Sequence, residues 1–491
     1  MPEASGLARR VRIQCLASGS NHAMSSPLRA VRFGAGPHES AAPQRSCLSG
    51  PRGAEVHFPA VIRPPSFGYR GAPGNSPRRA EKVLYCEAVS LPQVAARAGT
   101  PVYVYSAAAI RERLRAFDAA FRGHPHTLCY SVKANSSLAI LRLVARAGHG
   151  FDVVSGGELE RVLRARPRSA GKVVFSGVGK SRDEMVLALR SGILLFNVES
   201  ASELRVLAET AARLRRRARI AIRVNPDLPA NTHPYISTGL RDHKFGVPIP
   251  EAERLYADAA RHPNLLVAGV SVHIGSQIAE VRSFSAALER VAALVRRLRR
   301  AGLPIRYVDA GGGLAIPYDG ARHDFRRQFT AYARAVTRPL RGLGVHLLLE
   351  PGRSIVGPAG VLLTRVLFRK SNSRKRFLIV DAAMNDLLRP ALYRAEHEIV
   401  PVALRPARPR ESIDVVGPIC ETGDFFTRGI ELPRMAEGEL LAILDAGAYA
   451  ASLGSNYNSR LKPPEVLVNG RAARIVRRRE RPADLMRLES L

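Results

Sequence analysis

The chain has little lysine: 8 residues against 67 arginines in a length of 491. A lysine set among apolar residues in such a sequence needs a reason. Cysteine is also sparse. Cys15, Cys47, Cys86, Cys129 and Cys420 show no paired spacing and no C-x-x-C, which argues against a disulfide framework and against a zinc site. No metal is expected, and a reducing cytoplasm is the compartment that fits. No run of 18 apolar residues occurs, so no membrane-spanning helix is expected. Acidic residues number 42 against 75 basic ones, a formal charge of +33. Such a charge suggests nucleic acid, but its distribution points elsewhere. Residues 1–80 carry 11 Arg and 3 Glu, or +8, which leaves +25 on the rest. The densest runs, RLRRRAR (213–219) and RRLRR (296–300), sit in Ala/Leu-rich helical patterns, where charges form a solvated face. Neither nucleic acid nor membrane is an expected partner.

Residues 1–80 stand apart. They are rich in Ser, Gly, Pro and Arg, poor in acids, and keep no period of 2 or 3.6. That composition reads as a low-complexity, disordered N-terminal extension. An Arg- and Ser-rich leader resembles an organellar transit peptide. With no amphipathic helix evident, a plain tail or a mis-set start codon is the preferred reading.

From about residue 100, strand-like and helical runs alternate. The strands are TLCYSVKA (127–134), GFDVVS (150–155), KVVFSG (172–177), ILLFNVES (193–200), RIAIRVNP (219–226), LVAGVSVHIGS (266–276), IRYVDAGGG (305–313) and VHLLLEPGR (345–353). Eight evenly spaced β-then-α units predict a closed (β/α)8 barrel of the TIM type rather than a doubly wound sheet. After about 360 the segments become β-rich without regular helices, which predicts a C-terminal all-β domain. The fold class is therefore α/β, with a barrel at 106–358 and a β-domain from 81–105 and 359–491. VLYCEAVS (83–90) can lend that domain a strand.

Barrel enzymes place their chemistry at the C-terminal ends of the strands. Those ends read Lys133, Asp152, Ser176, Asn197, Asn225, His273, Gly311–Gly313 and Glu350. One polar strand end is more often a helix cap than a catalyst; eight together indicate a site. Lys133, in YSVKAN, is the nucleophile by type: a partly desolvated amine has a lowered pKa and condenses with aldehydes. The plainer reading is a lysine snorkelling to water. The glycines of DAGGG end the seventh strand, where barrels bind phosphate through backbone N–H groups. Glu350, followed by Gly352 and Arg353, ends the eighth. An amine, a phosphate cradle and a carboxylate around one mouth suit pyridoxal 5′-phosphate, with the carboxylate keeping the pyridine nitrogen protonated. His273 is placed to lie against the ring, or is simply a packed strand histidine.

YSVKAN, HIGSQ, DAGGG, EPGR and GPICETGD, in that order within 83–485, resemble the pyridoxal-phosphate decarboxylases with an alanine-racemase-like barrel. Among these the diaminopimelate decarboxylases are the nearest branch. The resemblance implies Lys133 as the cofactor-binding catalytic lysine, His273 on the ring, and Ser276 with Gly311, Gly312 and Gly313 at the phosphate. It further implies Glu350 at the pyridine nitrogen, with Gly352, Arg353 and Tyr449 also at the cofactor. Arg353, Arg389, Tyr393, Glu421 and Tyr449 become the substrate set, and Cys420 the proton donor. The implied reaction is decarboxylation of meso-2,6-diaminoheptanedioate to L-lysine. A homodimer with shared sites is implied, Cys420 coming from the partner chain. The alternatives are a related decarboxylase of ornithine, arginine or a carboxylated polyamine, and a non-catalytic single-domain cofactor binder. The first would typically carry Asp after the cysteine, where this chain has Glu421, and the second would lack GPICETGD.

Overall fold

The structure is a computed structural model that describes residues 61–63, 66–71, 81–228, 244–318, 323–405 and 408–490. Before the barrel come strands β1 (Phe67–Gly71), β2 (Lys82–Cys86) and β3 (Val102–Ser106) and helices α1 (Leu91–Ala98) and α2 (Ala107–Ala120). The barrel strands are β4 (His126–Ser131), β5 (Gly150–Val153), β6 (Val173–Phe175) and β7 (Leu195–Val198). They continue with β8 (Ala218–Asn225), β9 (Leu265–Val272), β10 (Tyr307–Asp309) and β11 (His346–Leu349). Each pairs in parallel with the next, and β11 returns to β4 through Leu347–His126, Leu348–Thr127 and Leu349–Leu128. The predicted eight-stranded barrel is closed.

The helices that follow β4 to β10 are α3 (Leu138–Arg146), α4 (Gly156–Ala165), α5 (Arg182–Ser191), α6 (Ala201–Arg213), α7 (Ile249–Arg261), α8 (Val281–Arg300) and α9 (Phe325–Thr337). The eighth unit departs from the expected repeat. β11 leads only into the four-residue α10 (Arg353–Val356). The remaining outer position is taken by α2, from before the first barrel strand. Its Phe117 packs edge-on to Phe329 of α9 at 5.0 Å, and its Arg113 donates to Ser354 O at 2.8 Å. Burying an aromatic of this size contributes roughly 1.5–3 kcal/mol.

Capping decides which polar residues remain for chemistry. Ser155, Ser181 and Ser200 each accept the N–H three residues on, at Glu158, Glu184 and Glu203. These serines lie two or more residues beyond the strand ends. Asp152, Ser176 and Asn197 are thereby released from capping and point elsewhere.

The second sheet follows from Gly360: β12 (Gly360–Ser371), β13 (Arg376–Val380), β14 (Arg410–Val416), β15 (Phe425–Pro433), β16 (Leu440–Ile443), β17 (Glu465–Asn469) and β18 (Ala472–Arg477). Its order is β15-β14-β13-β12-β3-β17-β18, with β16 also on β12. β3 therefore lies inside this sheet and runs straight into α2. Short helices interrupt the expected all-β pattern at Arg389–Tyr393 and Pro482–Met486. β2, in the segment near 83–90, pairs with β1 and with Ala403–Leu404 in a separate small sheet rather than in this one.

Most of the extension read as disordered lies outside the described residues, but its end corrects that reading. β1 pairs antiparallel with β2, and Phe67 and Tyr69 are buried with Leu84, Val104 and Val361. Alternation over five residues is too short a signal to stand out beside a Gly/Pro-rich leader.

Candidate active site

The strand ends of β4, β5, β6, β7, β10 and β11 meet in one polar network. Lys133 lies in a single 3-10 turn, Val132–Ala134, just past the end of β4. Its Nζ donates to Asp152 Oδ2 at 2.7 Å, and Ser131 Oγ donates to the same oxygen at 2.8 Å. Ser176 Oγ donates to Glu350 Oε1 at 3.2 Å. Asn197 Nδ2 donates to Asp309 Oδ2 at 2.6 Å and to Ser176 Oγ at 3.0 Å. Three buried carboxyls thus surround one amine.

Their protonation follows from that imbalance. Burial alone would lower the Lys133 pKa, but the charges of Asp152 and Glu350 outweigh it and hold the amine above the ordinary lysine range. This corrects the expectation of a lowered pKa: desolvation is present, and a carboxylate at 2.7 Å overrides it. Asp152 is held below its ordinary value; burial opposes this, and Lys133 prevails. Glu350 is pushed well above its ordinary value by burial, then by Asp152 and Asp309. Asp309 is raised by burial as well.

Around this network the Gly-rich turn is shaped by close approaches. A Cβ on Gly312 would lie 2.0 Å from Glu350 O, and Gly313 combines a φ of +100° with a Cβ position 2.1 Å from Gly275 O. The N–H groups of Gly311 and Gly312 already donate, to Asp309 Oδ1 at 3.0 Å and His273 Nδ1 at 3.1 Å. His273 is therefore neutral with its proton on Nε2; burial, then Arg223, push its pKa down to about 3.

Beside the turn, Arg353 donates through Nη2 to Ser276 Oγ at 2.9 Å and through Nη1 to Tyr318 OH at 2.6 Å. Its guanidinium carbon lies 4.6 Å from the centroid of the Tyr449 ring. Tyr449 N–H donates to Ala134 O at 2.8 Å and Asn135 Nδ2 to Gly447 O at 3.0 Å, which fasten the lysine turn to the β-domain. Gly352 packs on this turn as well, a Cβ there falling 2.9 Å from Ala134 Cβ. Arg389, at the start of the Arg389–Tyr393 helix, places its guanidinium carbon 4.1 Å from the centroid of the Tyr318 ring. Tyr393 ends that helix, half-buried, where its field reaches both guanidiniums.

Arg353 and Arg389 are buried, and the Nε of each has no hydrogen-bond partner among the described residues. Neither meets a carboxylate there. Buried cations without anions and a buried acid without a cation make a site incomplete in charge. An anionic aldehyde with a basic ring nitrogen, as pyridoxal phosphate is, fits that deficit. Among the described residues no cluster of three or more His, Cys, Asp or Glu could hold a metal.

Cys420 and Glu421 lie elsewhere. Both are exposed in the loop between β14 and β15, and among the described residues no hydrogen bond or ion pair joins them to Lys133. Cys420 N–H donates to Asn458 Oδ1 at 3.1 Å. Asp424 shapes the loop from within, accepting from Ile419 N at 2.6 Å and Met384 N at 2.7 Å. Asn225 Oδ1 accepts from Asp227 N at 2.9 Å, and Asn225 lines a cleft with Gly246 and Arg290. Sequence reasoning gave no role to Ser131, Asn135, Asp152, Asp309, Tyr318 or Asp424. Asp152 and Asp309 had a signal, an acid at a strand end, whereas Tyr318 had none.

Residues 107–357 match the family described as pyridoxal-dependent decarboxylase, pyridoxal binding domain. Over 408 residues the chain is 52% identical to a diaminopimelate decarboxylase of Pseudomonas aeruginosa, covering 83% of this chain and 97% of that one. It is 45% identical to the Haemophilus influenzae diaminopimelate decarboxylase over 83% and 97% of the two chains. Among solved structures, the M. jannaschii diaminopimelate decarboxylase in complex with L-lysine superposes with a TM-score of 0.80 at 34% identity, covering 88% and 99%. The Helicobacter pylori diaminopimelate decarboxylase with L-lysine gives 0.77 at 41%, covering 81% and 98%.

Proposed function

Because this chain belongs to the pyridoxal-dependent decarboxylases, in the diaminopimelate decarboxylase branch, we propose that it converts meso-2,6-diaminoheptanedioate to L-lysine and CO2. The cofactor of the family is pyridoxal phosphate, which when bound supplies the electron sink for the pair that departing CO2 leaves behind. Lys133 would hold its aldehyde carbon, Glu350 its ring nitrogen and His273 its ring face. Ser276, Arg353 and the end of the glycine turn at Gly313 would receive its phosphate, the N–H groups of Gly311 and Gly312 being engaged within the site, with Gly352 and Tyr449 closing the wall.

The observation that carries the substrate is the pair of buried guanidiniums without an anion. A substrate with an amine alone at its far end leaves Arg389 unpaired; one with a distal carboxylate satisfies it, and a guanidinium binds a carboxylate bidentately. Tyr393 and Tyr449 flank that carboxylate, and Glu421 pairs with the distal ammonium. After CO2 leaves, an acid must return a proton to the α-carbon, and the Cys420 thiol is the group of that kind. Among the described residues no hydrogen bond or ion pair joins Cys420 or Glu421 to the Lys133 cluster of the same chain, and the reading is therefore of a homodimer whose sites take Cys420 of the partner subunit. The three described cysteines are free thiols, which supports the reducing cytoplasm as location. No helix among the described residues is long and apolar enough to cross a membrane.

The test measures CO2 release from diaminopimelate, ornithine, lysine and arginine side by side with added pyridoxal phosphate. Turnover of diaminopimelate alone is expected; preference for ornithine or arginine overturns the substrate. Mixing inactive Lys133→Ala and Cys420→Ala chains and letting subunits exchange should restore roughly a quarter of wild-type activity, the yield of random pairing across a twofold interface. No recovery sinks the shared site.

A further inference from the structure

The Arg389 guanidinium is held by His397, a residue outside every motif of the sequence. His397 is buried, 4% exposed. Its Nε2 lies 2.7 Å from Arg389 Nη1 and its Nδ1 2.8 Å from Leu444 O, just beyond β16. A guanidinium N–H can only donate and a carbonyl oxygen can only accept. The imidazole between them is therefore neutral, protonated on Nδ1, and accepts through Nε2. Its ring also packs edge-on to Tyr318 at 4.7 Å, the ring that carries Arg389. Tyr318 OH in turn accepts from Arg353. The four side chains Arg353, Tyr318, Arg389 and His397 have one mutual arrangement, anchored to the main chain at Leu444.

We propose that His397 is a positioning residue for substrate choice: it orients Arg389 toward the distal carboxylate by a neutral hydrogen bond that leaves the arginine's charge unspent. The inference rests on the assignment of Arg389 to that carboxylate. The chemical point is the type of acceptor. An Asp or Glu at position 397 would fix Arg389 equally well, but would neutralise it and compete with the substrate. A neutral acceptor fixes the fork and keeps the cation available, with Nε still a donor. Burial, then the charge of Arg389, push the His397 pKa down to about 3, so the neutral form persists through the physiological range.

The test uses the cofactor-loaded enzyme and two inhibitors that differ in one group: L-lysine, which has the carboxylate, and 1,5-diaminopentane, which lacks it. His397→Phe removes the acceptor and keeps a ring. It should raise KM for diaminopimelate and the inhibition constant of lysine together, by about ten- to a hundredfold, the worth of a hydrogen bond to a charged group. The cofactor absorbance, kcat and the inhibition constant of the diamine should hold. His397→Gln, which keeps an acceptor on a side chain of similar reach, should recover most of the lysine affinity, and His397→Leu, a second side chain without an acceptor, reads the same loss if the Phe variant fails to fold. Equal weakening of lysine and the diamine, or no change in either, overturns the inference. Arg389→Ala separates the two levels. If it leaves the lysine-to-diamine ratio unaltered, the carboxylate assignment of Arg389 falls. If it shifts that ratio while the His397 variants do not, only the positioning role falls.

Discussion

Two lysines of the barrel, Lys133 and Lys180, follow strand ends and pair with a carboxylate at the same 2.7 Å. They differ in what else they touch. Lys180 Nζ donates to Gly177 O, Asn197 O and Glu203 Oε1, each at 2.7 Å, so its three N–H groups are all used. Its side chain is fully enclosed. Among the described residues Lys133 has one acceptor, Asp152, and its side chain is one-third exposed. An ammonium with every donor satisfied is a structural strut. One with a single partner and an open side keeps the capacity to exchange its proton and attack. Saturation of hydrogen bonds separates the two more sharply than burial or charge pairing does.

Substitution separates them most. Lys133→Ala should abolish turnover and the absorbance of the protein-bound cofactor in every folded molecule, with a loss of stability as well because the buried Asp152 is left without its cation. Lys180→Met should keep turnover per folded molecule but lower stability by about 3–5 kcal/mol, because Glu203 is left buried without its cation. Loss of turnover at unchanged stability in the Lys180 variant would break the contrast.

Removing the partner of Lys133 sharpens it. In Asp152→Asn the largest opposing charge is gone, burial acts with less opposition, and the amine pKa falls. The pH profile for cofactor attachment, followed by absorbance after mixing, should move to lower pH. A profile that stays in place would mean that Asp152 does not govern the amine.

The smallest effect concerns Glu350 in the cofactor-free protein. Its folded pKa lies above the unfolded value of about 4.3. The unfolded chain therefore ionises first, and this group erodes stability as pH rises from that value through the folded pKa. Glu350→Gln removes the erosion. Urea midpoints of variant and wild type should agree near pH 4 and diverge in favour of the variant by neutral pH. A divergence of opposite sign would mean that Glu350 is ionised and paired in the absence of cofactor.

The barrel was legible because its strands are apolar runs at even spacing and its helices keep a 3.6 period. Motifs that carry chemistry at strand ends were legible for the same reason: the turn after a strand fixes where they sit. The sheet beyond Gly360 was legible as β-rich but not in its order, since β3 (Val102–Ser106) pairs with β12 (Gly360–Ser371), a strand far downstream that is its neighbour in space only. Phe67 and Tyr69 were lost in the composition of the leader.

By itself the sequence determined the periodic elements, the reactive residue types and their order, because these depend on neighbours along the chain. The tertiary structure alone decided the charge state of Lys133, the neutral tautomers of His273 and His397 and the stacking of Arg389 on Tyr318. Each of these rests on a group beyond the local turn, 19 residues away for Lys133 and Asp152 and 39 for His273 and Gly312, or on a direction of hydrogen bonding, and electrostatic and hydrogen-bond energies depend on distance in space rather than on separation in sequence.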